Sequence, residues 1–386
     1  MSLKSATIRE QPALVSISTG DAIIGLLSFM TLAGLIAGAG RLFLGLSAST
    51  GLTDGYPWGI WIGFDFTLIA FAGTGFTMAA VVHVLHLKQY QPVLRPAILA
   101  GLMGYGAVLL LLVLDLGRPD RFYHFIIFGN LHSPLYEISW CVLLYTTVLV
   151  VETSPCLLRW LQRDWPLRLV YRLMTPVTII GVTLSTLHQS TLGTLYLNMP
   201  HRLHPLWYTP ILPLLFLVSS VMAGLSLGML IYKITSRVRG QAEQPGLVSG
   251  LGRGLLWVTL LYLLLKLGDM LLAGEAAALL TFDQVSLVMG LELIGGVLLP
   301  LALLLTPAWR ERRLTQWAAP LLVLFGVLMN RFNATMFAQL LPAGTSYSPH
   351  ILEWLSTLGI LAGAALLWYL GTRFLLKVED EVADRH

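Results

Sequence analysis

Ionisable side chains crowd one short stretch of this chain. Residues 114–137 read LDLGRPDRFYHFIIFGNLHSPLYE and carry Asp115, Arg118, Asp120, Arg121, His124, His132 and Glu137. The sequence around them is 56% hydrophobic and only 11% charged. Acids beside histidines in an apolar setting are suited to proton exchange, because desolvation and neighbouring charge bring their titration into a usable range. A carrier that takes or gives two electrons together with two protons needs such a pair and a water path to one surface. A lipid-soluble carrier of this kind, a quinone, fits so apolar a chain. Asp115 and Arg118 have a plainer reading as caps of a helix and its loop.

These residues must be held by membrane helices. Soluble proteins are about one quarter charged. A mean hydropathy of +0.76 with continuous apolar runs points instead to helices in a bilayer, since a barrel would alternate. The expected fold is an all-α polytopic membrane bundle. Its ten spans fall near 21–46, 59–87, 95–115, 134–153, 169–190, 210–234, 251–276, 283–306, 314–340 and 351–376. Each is long enough to cross a core of about 30 Å at 1.5 Å per residue. The polar start, MSLKSATIREQPALVSISTG, does not read as a signal peptide.

Lysine and arginine orient the bundle. Lys4, Arg9, Lys88, Arg95, Arg159, Arg163, Arg168, Arg172, Lys233, Arg237, Arg239, Arg253, Arg310, Arg312, Arg313, Arg373, Lys377 and Arg385 fall on one side. The positive-inside rule makes that side, with both termini, cytoplasmic in a bacterial inner membrane. Residues 1–20 and 377–386 become cytoplasmic tails around a transmembrane domain, 21–376.

With that orientation Asp65, Asp115, Glu137 and His188 come from four consecutive spans and lie at similar depth towards the outer side. They are expected to converge, making spans 2–5 the chemical bundle and spans 6–9 a second one. The second bundle holds Lys266, Asp269, Glu292 and Arg331. A charge at such depth costs at least about 2.5–3.5 kcal/mol unless paired or hydrated. Two readings stand for this set: ion pairing that keeps the helices in register, and a proton path through Asp269, Glu292 and Arg331. Trp58, Tyr136 and other aromatics sit at the outer boundary, as an interfacial belt or as stacking partners for a ring. His83 and His86 lie at the opposite end from His188, so no facing pair for a membrane haem is expected. Cys141 and Cys156 form no cluster-binding motif.

Ordered motifs carry a family resemblance over nearly the whole chain. They are DGYPWGIWIGFD (54–65), GTGF (73–76), LRPAILAGLMGYG (94–106), LDLGRP (114–119), LYEISWCVLLY (135–145), LHQSTLGTL (187–195) and HPLWYTPILPLL (204–215). KLGD (266–269), LELIGGVLLPL (291–301), NRFN (330–333) and SYSPHILEW (346–354) follow. The chain resembles the NrfD/PsrC-like family of membrane subunits, and most closely its HybB-type branch from uptake [NiFe]-hydrogenases. The resemblance implies an anchor for a periplasmic ferredoxin-like iron–sulfur subunit, joined here to hydrogenase large and small subunits. It implies menaquinone or ubiquinone as the substrate, and no haem, metal or iron–sulfur cluster of the chain's own. Glu137 and the segment His188–Gln189–Ser190 match the family's acidic helix start and its His-Gln-Ser segment.

On this basis Glu137, His188 and Asp115 are expected to handle quinone protons. Asp65, Arg118, Tyr136, Trp58 and Gln189 are expected to line the quinone. The loops 47–58, 116–133, 191–209 and 341–350 would dock the partner. The run DLGRPDRFYH departs from the hydrogenase pattern after its first Arg, which keeps a sulfur-metabolism or multihaem cytochrome-linked complex open. A secondary transporter or ion channel is the rival from another class. It calls for broken helices and a midplane site, whereas the polar groups here gather near one face. A plain anchor without quinone chemistry is the third reading.

Overall fold

A computed structural model describes residues 19–281, 283–342 and 344–376. Ten helices are long and apolar enough to cross a membrane: α1 Thr19–Leu44, α2 Ile60–Val84, α3 Lys88–Asp115, α4 Pro134–Trp160, α5 Asp164–Leu197, α6 Leu212–Arg239, α7 Leu247–Leu272, α8 Gln284–Leu305, α9 Thr315–Phe337 and α10 Ile351–Leu375. The expected all-α bundle of ten spans is therefore present. The tails, with Lys4, Arg9, Lys377 and Arg385, lie outside the described residues apart from Thr19 and Gly20.

The helices run further than the apolar windows did. α5 has 34 residues, or about 51 Å at 1.5 Å per residue, against a core of about 30 Å. Its Arg168 and Arg172 are helical, not loop, residues, because a helix does not stop where hydrocarbon stops. Pro96, Pro155, Pro176 and Pro320 lie inside helices. Neighbouring helices can satisfy the backbone groups that a proline frees.

α6 is the centre of the molecule. Most of its apolar window, 78%, is buried, against 11% for α5. It touches α2, α3 and α5 on one side and α7 and α9 on the other. α2 to α5 pack as neighbours, α8 lies against α7 and α9, and α1 pairs with α10 against α3. The α1–α10 pairing is set by Gly34 and Gly359, whose backbones touch so closely that a Cβ on either would collide with the other. Gly296 of α8 and Gly326 of α9 repeat the device. In lipid, where apolar residues gain nothing by leaving the solvent, such close backbone contact supplies the packing that holds helices together.

Several helices are irregular where polar groups gather. α2 breaks at Gly73 and closes on a π-helical turn at Ala80–Val84. π turns also follow Glu292, at Ile294–Leu298, and Phe332, at Asn333–Phe337. Each rotates the following residues relative to a regular helix, and such turns concentrate at functional sites.

Candidate functional site

His188 of α5 is fully buried. Its Nδ1 lies 2.9 Å from the hydroxyl of Tyr105 on α3, while Nε2 meets no protein partner. Tyr105 stacks edge-on against Tyr145 of α4, with ring centroids 4.8 Å apart. Ser185, one turn before His188, is within range of both tyrosines. Next to His188, the Gln189 amide donates to the carbonyl of Ile69 at 2.7 Å, beside the break in α2, and its Oε1 is unpartnered. One turn beyond, Thr191 donates to Glu137 Oε1 at 2.7 Å. Glu137 itself is exposed. So α5 presents on one face a carboxylate contact near the membrane boundary and a buried imidazole below it.

Asp65 of α2 and Asp115 at the end of α3 interact electrostatically. Each has a buried oxygen, Oδ1, without a protein partner. Asp115 also senses Arg41 of α1 and Glu353 of α10. Arg41 is buried and donates to the Leu116 carbonyl at 2.6 Å. Glu353 is fully buried and accepts from the backbone N–H of Gly51 (2.8 Å) and His350 (2.7 Å) and from the Tyr347 hydroxyl (2.6 Å). Tyr347 in turn accepts from the Ile60 N–H at 3.0 Å and stacks on Tyr56. Burial and the bond to Glu353 push the Tyr347 hydroxyl above its ordinary pKa, so it stays a donor.

The four residues expected to converge thus fall into two adjacent groups. Asp65 and Asp115 turn towards α1 and α10. His188, Gln189 and Glu137 turn towards α2, α3 and α4, and Tyr105, which senses Asp65, lies between the groups. Arg118 joins neither. It is exposed and makes a two-pronged pair with Asp120 at 2.8 and 3.0 Å. The cation beside Asp115 is Arg41, from a helix some 75 residues away. Tyr136 covers the backbone of Gly129 and meets Trp140 edge-on. Trp58 is only half-exposed: it packs on Tyr196 and Phe66, with Arg202 over its ring at 5.4 Å.

The second polar set is a connected network in which Arg331 Nε and Asn333 Oδ1 are left without a protein partner. Glu292 accepts from Asn330 (2.8 Å), Asn333 (2.8 Å) and the Trp207 indole (2.9 Å). Arg331 donates to Asn330 (2.6 Å), Ser219 (2.9 Å) and the Phe216 carbonyl (3.0 Å), and lies over the Phe216 ring. Glu292 and Arg331 are therefore linked through Asn330, with no direct pair between them among the described residues. Lys266 donates to the Leu206 carbonyl at 2.6 Å, and Asp269 accepts from Thr209 at 2.6 Å. A cavity of about 10 Å³ beside Glu292, Tyr262 and Ser219 is the size of one water.

Tyr105, Arg41, Glu353 and Tyr347 were not among the expected site residues. Tyr105 lies within the quoted motif GLMGYG, Tyr347 and Glu353 lie within SYSPHILEW, and Arg41 is one of six cations off the basic side. Those were the available signals.

A ten-helix membrane bundle with buried acids, a buried histidine and exposed loops at one end is an integral subunit built to work beside other groups. The chain belongs to the family described as "Polysulphide reductase, NrfD", which matches residues 48–343. It is 38% identical over 348 residues to a protein of Nitratidesulfovibrio vulgaris, covering 86% of this chain and 88% of that one. It is 29% identical over 330 residues to the "Probable Ni/Fe-hydrogenase 2 b-type cytochrome subunit" of Escherichia coli, covering 83% of each. It is also 29% identical over 359 residues to the "Menaquinone reductase, integral membrane subunit" of N. vulgaris, covering 84% of each. The protein is thus a multi-pass inner-membrane subunit. The E. coli relative's name includes a b-type cytochrome. Of the histidines within or beside the spans, His188 is buried in α5, whereas His83 and His86 are exposed at the other end of α2, so these three do not form a facing pair.

Proposed function

We propose that this chain is the quinone-reactive membrane subunit of a respiratory oxidoreductase, passing electrons from an iron–sulfur partner to menaquinone or ubiquinone. The observation that carries the reading is the Glu137–Thr191 contact standing one turn above the buried His188–Tyr105 pair. A quinone head group entering between α4 and α5 from the boundary would meet a carboxylate and then an imidazole, the two proton-exchanging groups that two-electron chemistry requires. Asp65 and Asp115 would tune or relay, and Gln189 and Trp58 would bound the site. The name of the menaquinone reductase relative supports the quinone role, and that of the hydrogenase 2 relative supports a hydrogenase donor.

Among donors, H₂ through a [NiFe]-hydrogenase and its ferredoxin-like subunit is the favoured source. The arginine-rich end then faces the cytoplasm, and the partner docks on the opposite, periplasmic end. Proton supply from the arginine-rich end has support in a cavity of about 180 Å³ bordered by His83, Arg95 and Glu152. Glu152, bonded to Thr178, lies in electrostatic range of Tyr145, and Tyr145 leads to Tyr105 and His188. Because both Glu292 oxygens accept hydrogen bonds that tie α8 to α9 and to the loop before α6, the network of Asp269, Glu292 and Arg331 is assigned to register; its single-water cavity favours proton transfer as the second reading.

The test is to purify the complex from its native membrane in mild detergent, identify its subunits, and measure donor-to-quinone electron flow in wild type and Glu137→Gln. Hydrogenase subunits with H₂:quinone activity, reduced at least tenfold by the substitution, are expected. A molybdenum or multihaem partner would replace the donor and keep the quinone role. Unchanged flow in Glu137→Gln would remove Glu137 from proton handling.

A further inference from the structure

Two adjoining cavities at the arginine-rich end belong to none of the chemistry above. The first, about 320 Å³, is an apolar groove between α2, α6 and α7, bordered by Phe76, Val81, Leu225 and Trp257. It runs from mid-membrane towards the arginine-rich surface. Leu85 and Trp257 at its edge are more than half exposed, so the groove opens on lipid. The second, about 380 Å³, lies above it among the first turns of α3 and α7 and the loops before α7 and α9, and is polar: Gln89, Gln244, Ser249, Arg253, Arg310 and Glu311 border it. Tyr90, Gly250 and Arg253 belong to both. The two are one site with an apolar stem and a polar mouth.

The mouth carries two guanidinium groups against one carboxylate, a net charge of +1. Neither Arg253 nor Arg310 is paired with a carboxylate among the described residues. Guanidinium groups present several donors in a fork that matches phosphate oxygens. Basic pockets between helices at the cytoplasmic side of membrane proteins take anionic lipid head groups. The stem exists because α7 has glycine where a larger side chain would fill it: a Cβ on Gly254 would meet only the end of Leu225, at 3.7 Å.

We propose that this site binds an anionic glycerophospholipid, with its phosphate between Arg253 and Arg310 and one acyl chain in the groove between α2, α6 and α7. The charge of the mouth selects against zwitterionic lipids, and the stem selects against free phosphate. The lipid pins the loops before α3, α7 and α9 to the helices below them. This inference stands apart from the electron-transfer reading and holds for any donor.

The test uses the intact complex, delipidated by detergent exchange and offered equimolar phosphatidylglycerol and phosphatidylethanolamine, with retained lipid counted by native mass spectrometry. Wild type retains one phosphatidylglycerol in preference to phosphatidylethanolamine. Each arginine near a membrane surface contributes about 1 kcal/mol to anionic-lipid attraction, so Arg253→Gln with Arg310→Gln lowers retention roughly tenfold or more. Gly254→Leu, which fills the stem and leaves the mouth intact, lowers it as well. Competition with inorganic phosphate leaves the bound lipid in place. Equal retention of both lipids, full retention in the double Gln variant, unchanged retention in Gly254→Leu, or displacement by inorganic phosphate would each overturn the proposal.

Discussion

Replacing Glu292 by leucine tests whether the second polar network holds α6, α8 and α9 together. The substitution removes the acceptor for Trp207, Asn330 and Asn333, whose bonds are 2.8–2.9 Å long. Interhelical hydrogen bonds in membrane proteins average about 0.6 kcal/mol, so the bonds alone amount to about 2 kcal/mol. Three buried donors are then stranded, and Lys266 and Arg331 lose the carboxylate in their electrostatic range. Uncompensated buried charge is the costlier consequence. The effects share one pocket and do not add fully, which gives a total of about 4 kcal/mol or more. For a protein of this size that is a fall in melting temperature of roughly 5 °C or more. Tryptophan fluorescence or size-exclusion chromatography after heating, on the detergent-purified chain, reads it. Glu292→Gln keeps one carbonyl acceptor and falls by less. Glu292→Leu combined with Arg331→Met removes both charges and recovers part of the loss. A Glu292→Leu single variant that melts within about 2 °C of wild type would refute the reasoning.

Three further outcomes follow from the geometry. Tyr105→Phe leaves both ring nitrogens of His188 without a protein partner, costs about 1–3 kcal/mol, and slows quinone turnover without changing which subunits co-purify. Gly34→Leu or Gly359→Leu drives the paired backbones of α1 and α10 apart, for about 1–3 kcal/mol or more, and disulfide mapping between α1 and α10 shows the separation. Asp120 is held below its ordinary pKa by its bond to Arg118. Its contribution is therefore fully present above the unfolded value of about 3.9 and is lost as pH falls through the lower folded value. Asp120→Asn should raise the rate of proteolysis within residues 116–133 at pH 7, and that effect should shrink as pH falls below about 3.9.

Helix count and approximate position were legible because ten apolar runs must each span a bilayer, and nothing but a helix closes its own backbone there. The placement of Asp65 near Asp115, and of Glu137 and His188 on neighbouring helices, followed from depth along alternating spans. Depth does not give rotation about each helix axis, so the division of those residues into two groups was not legible. Nor were partners distant in sequence: Arg41 reaches Asp115 and Glu353 reaches Gly51 only once α1 and α10 close on α3. The Arg118–Asp120 pair, two residues apart on one exposed loop, was not read either, although it forms at no cost in burial.

Glu353 has a consequence for assembly. One carboxylate fastens Gly51, Tyr347 and His350, and through Tyr347 the start of α2, so two loops far apart in sequence form one ordered platform. Fixing a free backbone residue costs about 1–2 kcal/mol. A protein that lands on this end finds that ordering already done by folding of the bundle, and its contacts are not eroded by it. Association there should resemble the meeting of two rigid bodies, with the heat capacity change of surface burial and none from a segment folding on contact.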